Sequence, residues 1–186
     1  MVDEDLGDKP IDYAKLEQLL EQGLNKDAAE RYQLVVNAPF TARAEMAFLF
    51  LGIIMLLFVD EKRQALQAKA VAQTEFSDNI DQMAVMPVDA IFIPLNAKSN
   101  LLVKAFKSGE PEGTTDWSTL LHPVLDAEKA RFTQASGGIA YTAVYPLHDA
   151  KGALVYSFFR RQAGDMAGQD DFMQRYTELV DKSLAA

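Results

Sequence analysis

The fold is indicated most clearly by residues 138–160, which read GIAYTAVYPLHDAKGALVYSFFR. Apolar and polar side chains alternate through Gly138–Leu147, and a period of two is typical of a β-strand. The polar segment HDAKG at residues 148–152 favours a turn. A second strand, Ala153–Arg160, follows that turn. The stretch therefore predicts an antiparallel hairpin.

A helix is predicted on the C-terminal side of this hairpin, over Asp170–Leu184. Asp170 suits its first turn, because negative charge is favourable at the amino end of a helix. The apolar residues of the segment recur at helical spacing and would share one face: Phe172, Met173, Tyr176, Leu179, Val180 and Leu184.

The middle of the chain predicts shorter elements. Ile91–Leu95 reads as a strand that its proline limits to an edge or an end of a sheet. Asn100–Ser108 predicts a short helix that ends at the following glycine. Glu110–Thr115 is expected to be a loop, and Leu120–Gln134 a helix broken near its His-Pro pair.

An earlier apolar stretch, Leu49–Val59, predicts a buried strand, and the polar residues DEKR after it favour a turn into a return strand over Ala65–Thr74. The alternative is one long helix from Thr41 to Gln73, because Glu, Lys, Arg, Gln and Ala dominate its second half. The hairpin is favoured and the helix stays open. The apolar run itself is too short to span a membrane comfortably.

The first forty residues predict helices. Apolar residues between Ile11 and Leu24 have helical spacing, and a second helix is expected from Ala28 until Pro39 ends it. Met1–Pro10 reads as an acidic, disordered leader. The predicted organisation is a helical extension over residues 1–40 and one domain over residues 41–186.

Composition excludes several kinds of function. The chain has 186 residues, 18 basic against 27 acidic side chains, and a formal charge of −9, so nucleic acid is not an expected partner. It has no cysteine, which excludes disulfides and thiolate nucleophiles. The sequence shows no pattern of a signal peptide or of a membrane span, and the expected location is the cytoplasm.

Three stretches resemble the GAF domain, a sensory domain related to PAS: FLGIIMLLFVDEKRQALQAKA, KAFKSGEPEGTTDW and GGIAYTAVYPLHDAKGALVYSF. The resemblance covers the chain from about Thr41 to its end. It implies an α+β fold, with a five- or six-stranded antiparallel sheet flanked by helices behind a helical N-terminal extension. One stretch, IFIPLNAKSN, is not typical of the family.

The resemblance implies a sensory or regulatory domain that binds a small molecule or mediates dimerisation. Bilin attachment and free methionine sulfoxide reduction use cysteines in this family, and the cyclic-nucleotide branch has a signature that is missing here. The chain is therefore expected not to be an enzyme, and no catalytic residue, metal site or cofactor is indicated.

A ligand site is expected around Asp116 and Trp117, the only tryptophan, because an indole wall beside a carboxylate suits a planar or cationic ligand. Phe92 and Tyr141 complete the predicted ligand contacts. The alternative interpretation is structural. In it, Trp117 packs in the core and Asp116 caps the next helix.

The mechanism expected for such a domain is a ligand that shifts the packing of the terminal helices. These helices would pass the signal to a partner or across a homodimer. The alternative function is a protein–protein interaction or scaffold module without a small-molecule ligand, which docks its partner through the first helices, around Leu16 to Val36.

Overall fold

The computed structural model describes residues 11–42, 51–74, 87, 90–159 and 166–186. The predicted leader lies outside the described residues. The α-helices are α1 (Tyr13–Gln22), α2 (Ala28–Thr41), α3 (Leu101–Ser108), α4 (Ser118–Leu121), α5 (Ala127–Ser136) and α6 (Met166–Ala185), and a short 3₁₀ helix spans Gly23–Asn25. The strands are β1 (Leu51–Asp60), β2 (Ala65–Val71), β3 (Phe92–Pro94), β4 (Glu112–Thr114), β5 (Tyr141–Leu147) and β6 (Gly152–Phe158).

The six strands form one sheet in the order β3-β2-β1-β6-β5-β4, and each neighbouring pair is antiparallel. The two hairpins meet at its centre, where Ile54 of β1 lies opposite Tyr156 of β6. The predicted α+β fold with a five- or six-stranded antiparallel sheet is confirmed.

Residues 51–71 form the first hairpin and not the long helix that was the alternative. Its turn is fixed by Asp60, whose Oδ1 accepts the N–H groups of Lys62 at 3.0 Å and Arg63 at 3.1 Å. β1 is apolar along most of its length because helices cover both faces of the sheet at its centre.

Each face of the sheet has its own core. One is formed with α1, α2 and α6, and the other with α3, α4 and α5. We call them the terminal face and the middle face. The terminal face buries a group of large apolar and aromatic side chains: Leu16, Val36, Ile54, Leu56, Tyr156, Phe158, Phe172 and Tyr176.

Pro39 was expected to end α2, but the helix continues to Thr41. A proline inside a helix cannot donate an N–H to the carbonyl four residues earlier, which here is that of Val35. The hydroxyl of Tyr176 on α6 donates to this carbonyl instead, at 2.5 Å. A donor from a distant helix therefore replaces the missing backbone hydrogen bond. Burial raises the pKa of Tyr176 well above its ordinary value, so the donor stays protonated.

Tyr176→Phe is expected to lower the free energy of unfolding by about 1 to 2 kcal/mol, because it leaves the buried Val35 carbonyl without this donor. In a Pro39→Ala background the loss should be smaller, since the alanine N–H can then donate to Val35. Urea unfolding of the two single variants and the double variant measures the coupling. Equal losses in both backgrounds would contradict this account of the proline.

Two further elements differ from the sequence expectation. α6 begins at Met166, four residues before the predicted start at Asp170. β4 lies within the predicted loop Glu110–Thr115 and exists because its three residues pair with β5. Among the helices in the described segments, none is long and apolar enough to cross a membrane.

Candidate functional site

Trp117 lies at the junction of three elements on the middle face and is buried, with 9% of its surface exposed. Its indole N–H donates to Thr142 Oγ1 of β5 at 2.8 Å, and its backbone N–H donates to Gln134 Oε1 of α5 at 2.9 Å. Thr142 Oγ1 also shares a hydrogen bond of 2.9 Å with Ser157 Oγ. The tryptophan thus joins α4, α5 and the sheet.

Asp116 faces the guanidinium of Arg131, which donates from Nε at 3.1 Å and from Nη2 at 2.8 Å to the same carboxylate oxygen. Its other oxygen accepts the N–H of Ser118, the first residue of α4, at 2.9 Å. The Arg131 hydrogen bonds, and next those from Ser118, hold the pKa of Asp116 far below its usual range. These contacts are the ones expected if Asp116 caps the start of α4 and Trp117 packs in the core.

Tyr141 and Phe92 lie away from this pair. Tyr141 packs near Phe158 on the terminal face, with ring centroids 6.3 Å apart, whereas its strand neighbour Thr142 faces Trp117. Phe92 belongs to β3 at the other edge of the sheet, with the Arg63 guanidinium 4.2 Å above its ring. The structure brings together Asp116 and Trp117 but not the four residues, whose role as ligand contacts stays a prediction.

A cleft of about 340 Å³ opens on the terminal face. One wall is β5 with its turn and the loop after α3, and the other wall is α6. We call it the turn cleft, defined by its polar side chains: Glu110, Tyr145, His148, Gln174, Thr177, Glu178 and Asp181. None of the four residues predicted to contact a ligand lines this cleft.

The two walls are joined by Asp181 near the end of α6, which is 9% exposed. Its carboxylate accepts three successive backbone N–H groups of the β5–β6 turn: His148 at 2.9 Å, Asp149 at 3.1 Å and Ala150 at 2.8 Å. Consecutive N–H groups directed at one anion form a strong, charge-assisted contact. We call it the Asp181 latch.

The same turn also rests on α3. Gly109, which ends α3, has a φ of +71°, and a Cβ built there would lie 3.2 Å from His148 Cε1. Glycine serves both the left-handed conformation and the close approach of the imidazole. His148 is exposed, as expected for a turn residue. Within the described ranges, no group of three or more His, Asp or Glu is placed to hold a metal ion.

No family model matches the sequence, and no curated protein matches it. Solved structures do match in fold. The GAF domain of a phosphoenolpyruvate-protein phosphotransferase from Acinetobacter has a TM-score of 0.59 at 13% identity, covering 96% of this chain and 95% of that chain. A segment of a methyl-accepting chemotaxis protein has a TM-score of 0.56 at 14% identity, covering 91% and 94%. The predicted GAF fold is therefore confirmed.

A third structure corrects an expectation. Free methionine-R-sulfoxide reductase from Neisseria meningitidis, in complex with its substrate, has a TM-score of 0.55 at 12% identity and covers 96% of this chain and 93% of that chain. The prediction that the chain is not an enzyme is wrong, because this fold also carries a reductase. A fold fixes where side chains lie, while the chemistry depends on which side chains they are.

Proposed function

We propose that this chain is a regulatory domain in which a small molecule bound in the turn cleft controls how firmly α6 docks on the sheet. One observation carries the proposal. The cleft takes one wall from the sheet and the other from α6, and the Asp181 latch crosses the same boundary. A ligand that touches both walls favours the docked helix, and a ligand that displaces the latch favours its release.

The energies are in the range that a switch needs. Ligand binding changes the position of a helix only by as much as its affinity differs between the docked and released states. Hydrogen bonds to a charged group contribute about 1.5 to 3 kcal/mol. Moving a two-state equilibrium from 1:99 to 99:1 takes about 5.5 kcal/mol, which ligand contacts and a latch together can supply.

The test is thermal unfolding of the domain against a panel of small metabolites, nucleotides and tetrapyrroles. A ligand that binds only the folded state stabilises it by about 2.7 kcal/mol at a hundredfold excess over its dissociation constant. We expect one class of compound to raise the unfolding temperature in a saturable way and to change amide exchange along α6.

Two tryptophan variants place the binding site. Gln174→Trp adds bulk at an exposed α6 position that lines the cleft, and Asp171→Trp adds it at an exposed α6 position outside the lining. The thermal shift should disappear in Gln174→Trp and persist in Asp171→Trp. A panel without any shift, or a shift that survives Gln174→Trp, would overturn the proposal.

The packing of α1 and α2 argues against the alternative function, in which a protein partner docks on these two helices. The apolar side chains expected to form that surface are buried inside the domain, where they contact the sheet and α6: Leu16, Leu20, Val35 and Val36. A homodimer contact through the terminal helices stays a prediction.

A further inference from the structure

The charged side chains of the turn cleft are mostly acidic. Glu110, Glu178 and Asp181 line it together with one histidine, and among the described residues no Lys or Arg does. The whole chain carries a formal charge of −9, which adds to the negative potential at any concave surface. A cleft of this charge attracts cations and repels anions.

Tyr145 adds an unused hydrogen-bonding group. The side chain is 8% exposed, and its ring is fixed by an edge-to-face contact with Tyr156 at 5.7 Å. In the part of the chain that the structure describes, its hydroxyl has no hydrogen-bond partner, and the hydroxyl oxygen is accessible to solvent although the side chain as a whole is buried. A ligand in the cleft can supply that partner.

The hydroxyl is available in its neutral form. Burial, then the nearby carboxylate of Asp170 and the Tyr141 hydroxyl, raise the pKa of Tyr145 to about 12. At neutral pH its oxygen therefore carries a proton and still accepts a hydrogen bond. This suits a ligand that brings N–H donors into the cleft.

An organic cation fits better than a metal ion. Asp181 is engaged with three N–H groups of the turn, and the described residues offer no three-ligand cluster for a metal. Glu178 accepts a hydrogen bond from Gln174 at 3.2 Å and remains on the exposed side of α6. The volume of about 340 Å³ corresponds to on the order of ten water-sized volumes, enough for a small amine.

We propose that the ligand of the turn cleft is a small organic cation with an ammonium or guanidinium group. Its N–H groups donate to the carboxylates of Glu110 and Glu178 and to the hydroxyl oxygen of Tyr145. This inference rests on the proposed function, since it names the chemical class that the same cleft takes.

Isothermal titration calorimetry tests the inference with four probes of similar length: butane-1,4-diamine, 4-aminobutylguanidine, butane-1,4-diol and succinate. The two cations should bind, and the neutral and anionic probes should not. Tyr145→Phe should weaken the binding of the cations about five- to tenfold, because one hydrogen bond is worth about 1 kcal/mol. Glu178→Gln should weaken it by a similar factor.

Two controls separate binding from folding. Tyr145→Phe should leave the free energy of unfolding nearly unchanged, because the hydroxyl has no partner in the described structure. Glu21→Gln removes an exposed carboxylate of α1 that does not line the cleft, and it should leave cation binding unchanged.

The outcomes also separate this inference from the proposed function. Binding of the diol or succinate that Gln174→Trp abolishes would overturn the cationic class and leave the proposed function standing. Cation binding that survives Gln174→Trp, or no binding of any probe, would overturn the inference, and the metabolite panel would then decide the proposed function by itself.

Discussion

Asp181→Asn is expected to lower the free energy of unfolding by about 2 to 3 kcal/mol. The carboxylate accepts three backbone N–H groups of the β5–β6 turn at 2.8 to 3.1 Å and is almost fully buried. An asparagine has one acceptor oxygen and turns an NH₂ group toward the remaining donors. Those donors then lose a charge-assisted partner, which costs more than an ordinary hydrogen bond.

The matched control is Asp171→Asn on the same helix. Asp171 forms an exposed ion pair with Arg175 at 3.6 Å, and pairs of this kind contribute about 0 to 1 kcal/mol. Denaturant unfolding compares the two variants, and amide exchange at residues 148–150 should become faster only in Asp181→Asn. If both variants lose the same small amount, the latch does not hold α6 to the turn.

Gly152→Ala is expected to cost about 3 kcal/mol or more, because the centre of the sheet has no room for a side chain there. A Cβ on Gly152 would lie 2.2 Å from the carbonyl oxygen of Leu57 on β1. That atom belongs to the backbone of the central strand and cannot rotate away. The strands must separate where Gly152 pairs with Phe58, which strains the contact between the two hairpins.

Gly23→Ala is the control for this glycine. Gly23 has a φ of −74°, which alanine adopts without strain, and its nearest neighbour would be the Arg31 side chain at 3.3 Å. A flexible side chain gives way at little cost, so stability should change by less than about 1 kcal/mol. The urea midpoints give the change in the free energy of unfolding for both variants, provided that the slope of this free energy against urea concentration is the same as in the wild type. Tolerance of Gly152→Ala at wild-type stability would show that β6 can shift against β1.

The elements that follow from the sequence are those with local causes. The polar turn after Asp60 and the strand pattern on each side of it predict the first hairpin, and the closing hairpin follows in the same way. Asn100 and Gly109 bound α3 because their side-chain and backbone chemistry suits helix ends. Such signals lie within a few residues of the structure that they determine.

The elements that escaped prediction depend on distant partners. β4 is a strand only because β5 lies beside it, and its three residues carry no strand pattern of their own. The rule that Pro39 ends a helix fails because a hydroxyl 137 residues later in the chain, that of Tyr176, replaces the missing donor. Sequence alone does not show which distant group will be near.

The candidate site also contains one part that the sequence could indicate and one part that it could not. Asp116 and Trp117 could be singled out as unusual neighbours, and their structural interpretation as a cap and a core residue was available from the sequence. The turn cleft could not be found, since it joins Glu110, Tyr145 and Asp181 from three separate segments. The convergence of these side chains is set by how α6 packs, which no local pattern encodes.

The outer strands have a consequence for assembly. β3 and β4 each contain three residues, and β3 ends at a proline that has no N–H to offer. Long, flat edges invite another chain to extend a sheet through backbone hydrogen bonds, and short or proline-containing edges discourage it. Growth of this sheet into an intermolecular one is therefore disfavoured at both sides. Contacts between copies of the domain are therefore expected to be made by side chains. Such contacts depend on the sequence of both partners, whereas backbone pairing at a strand edge would bind almost any strand.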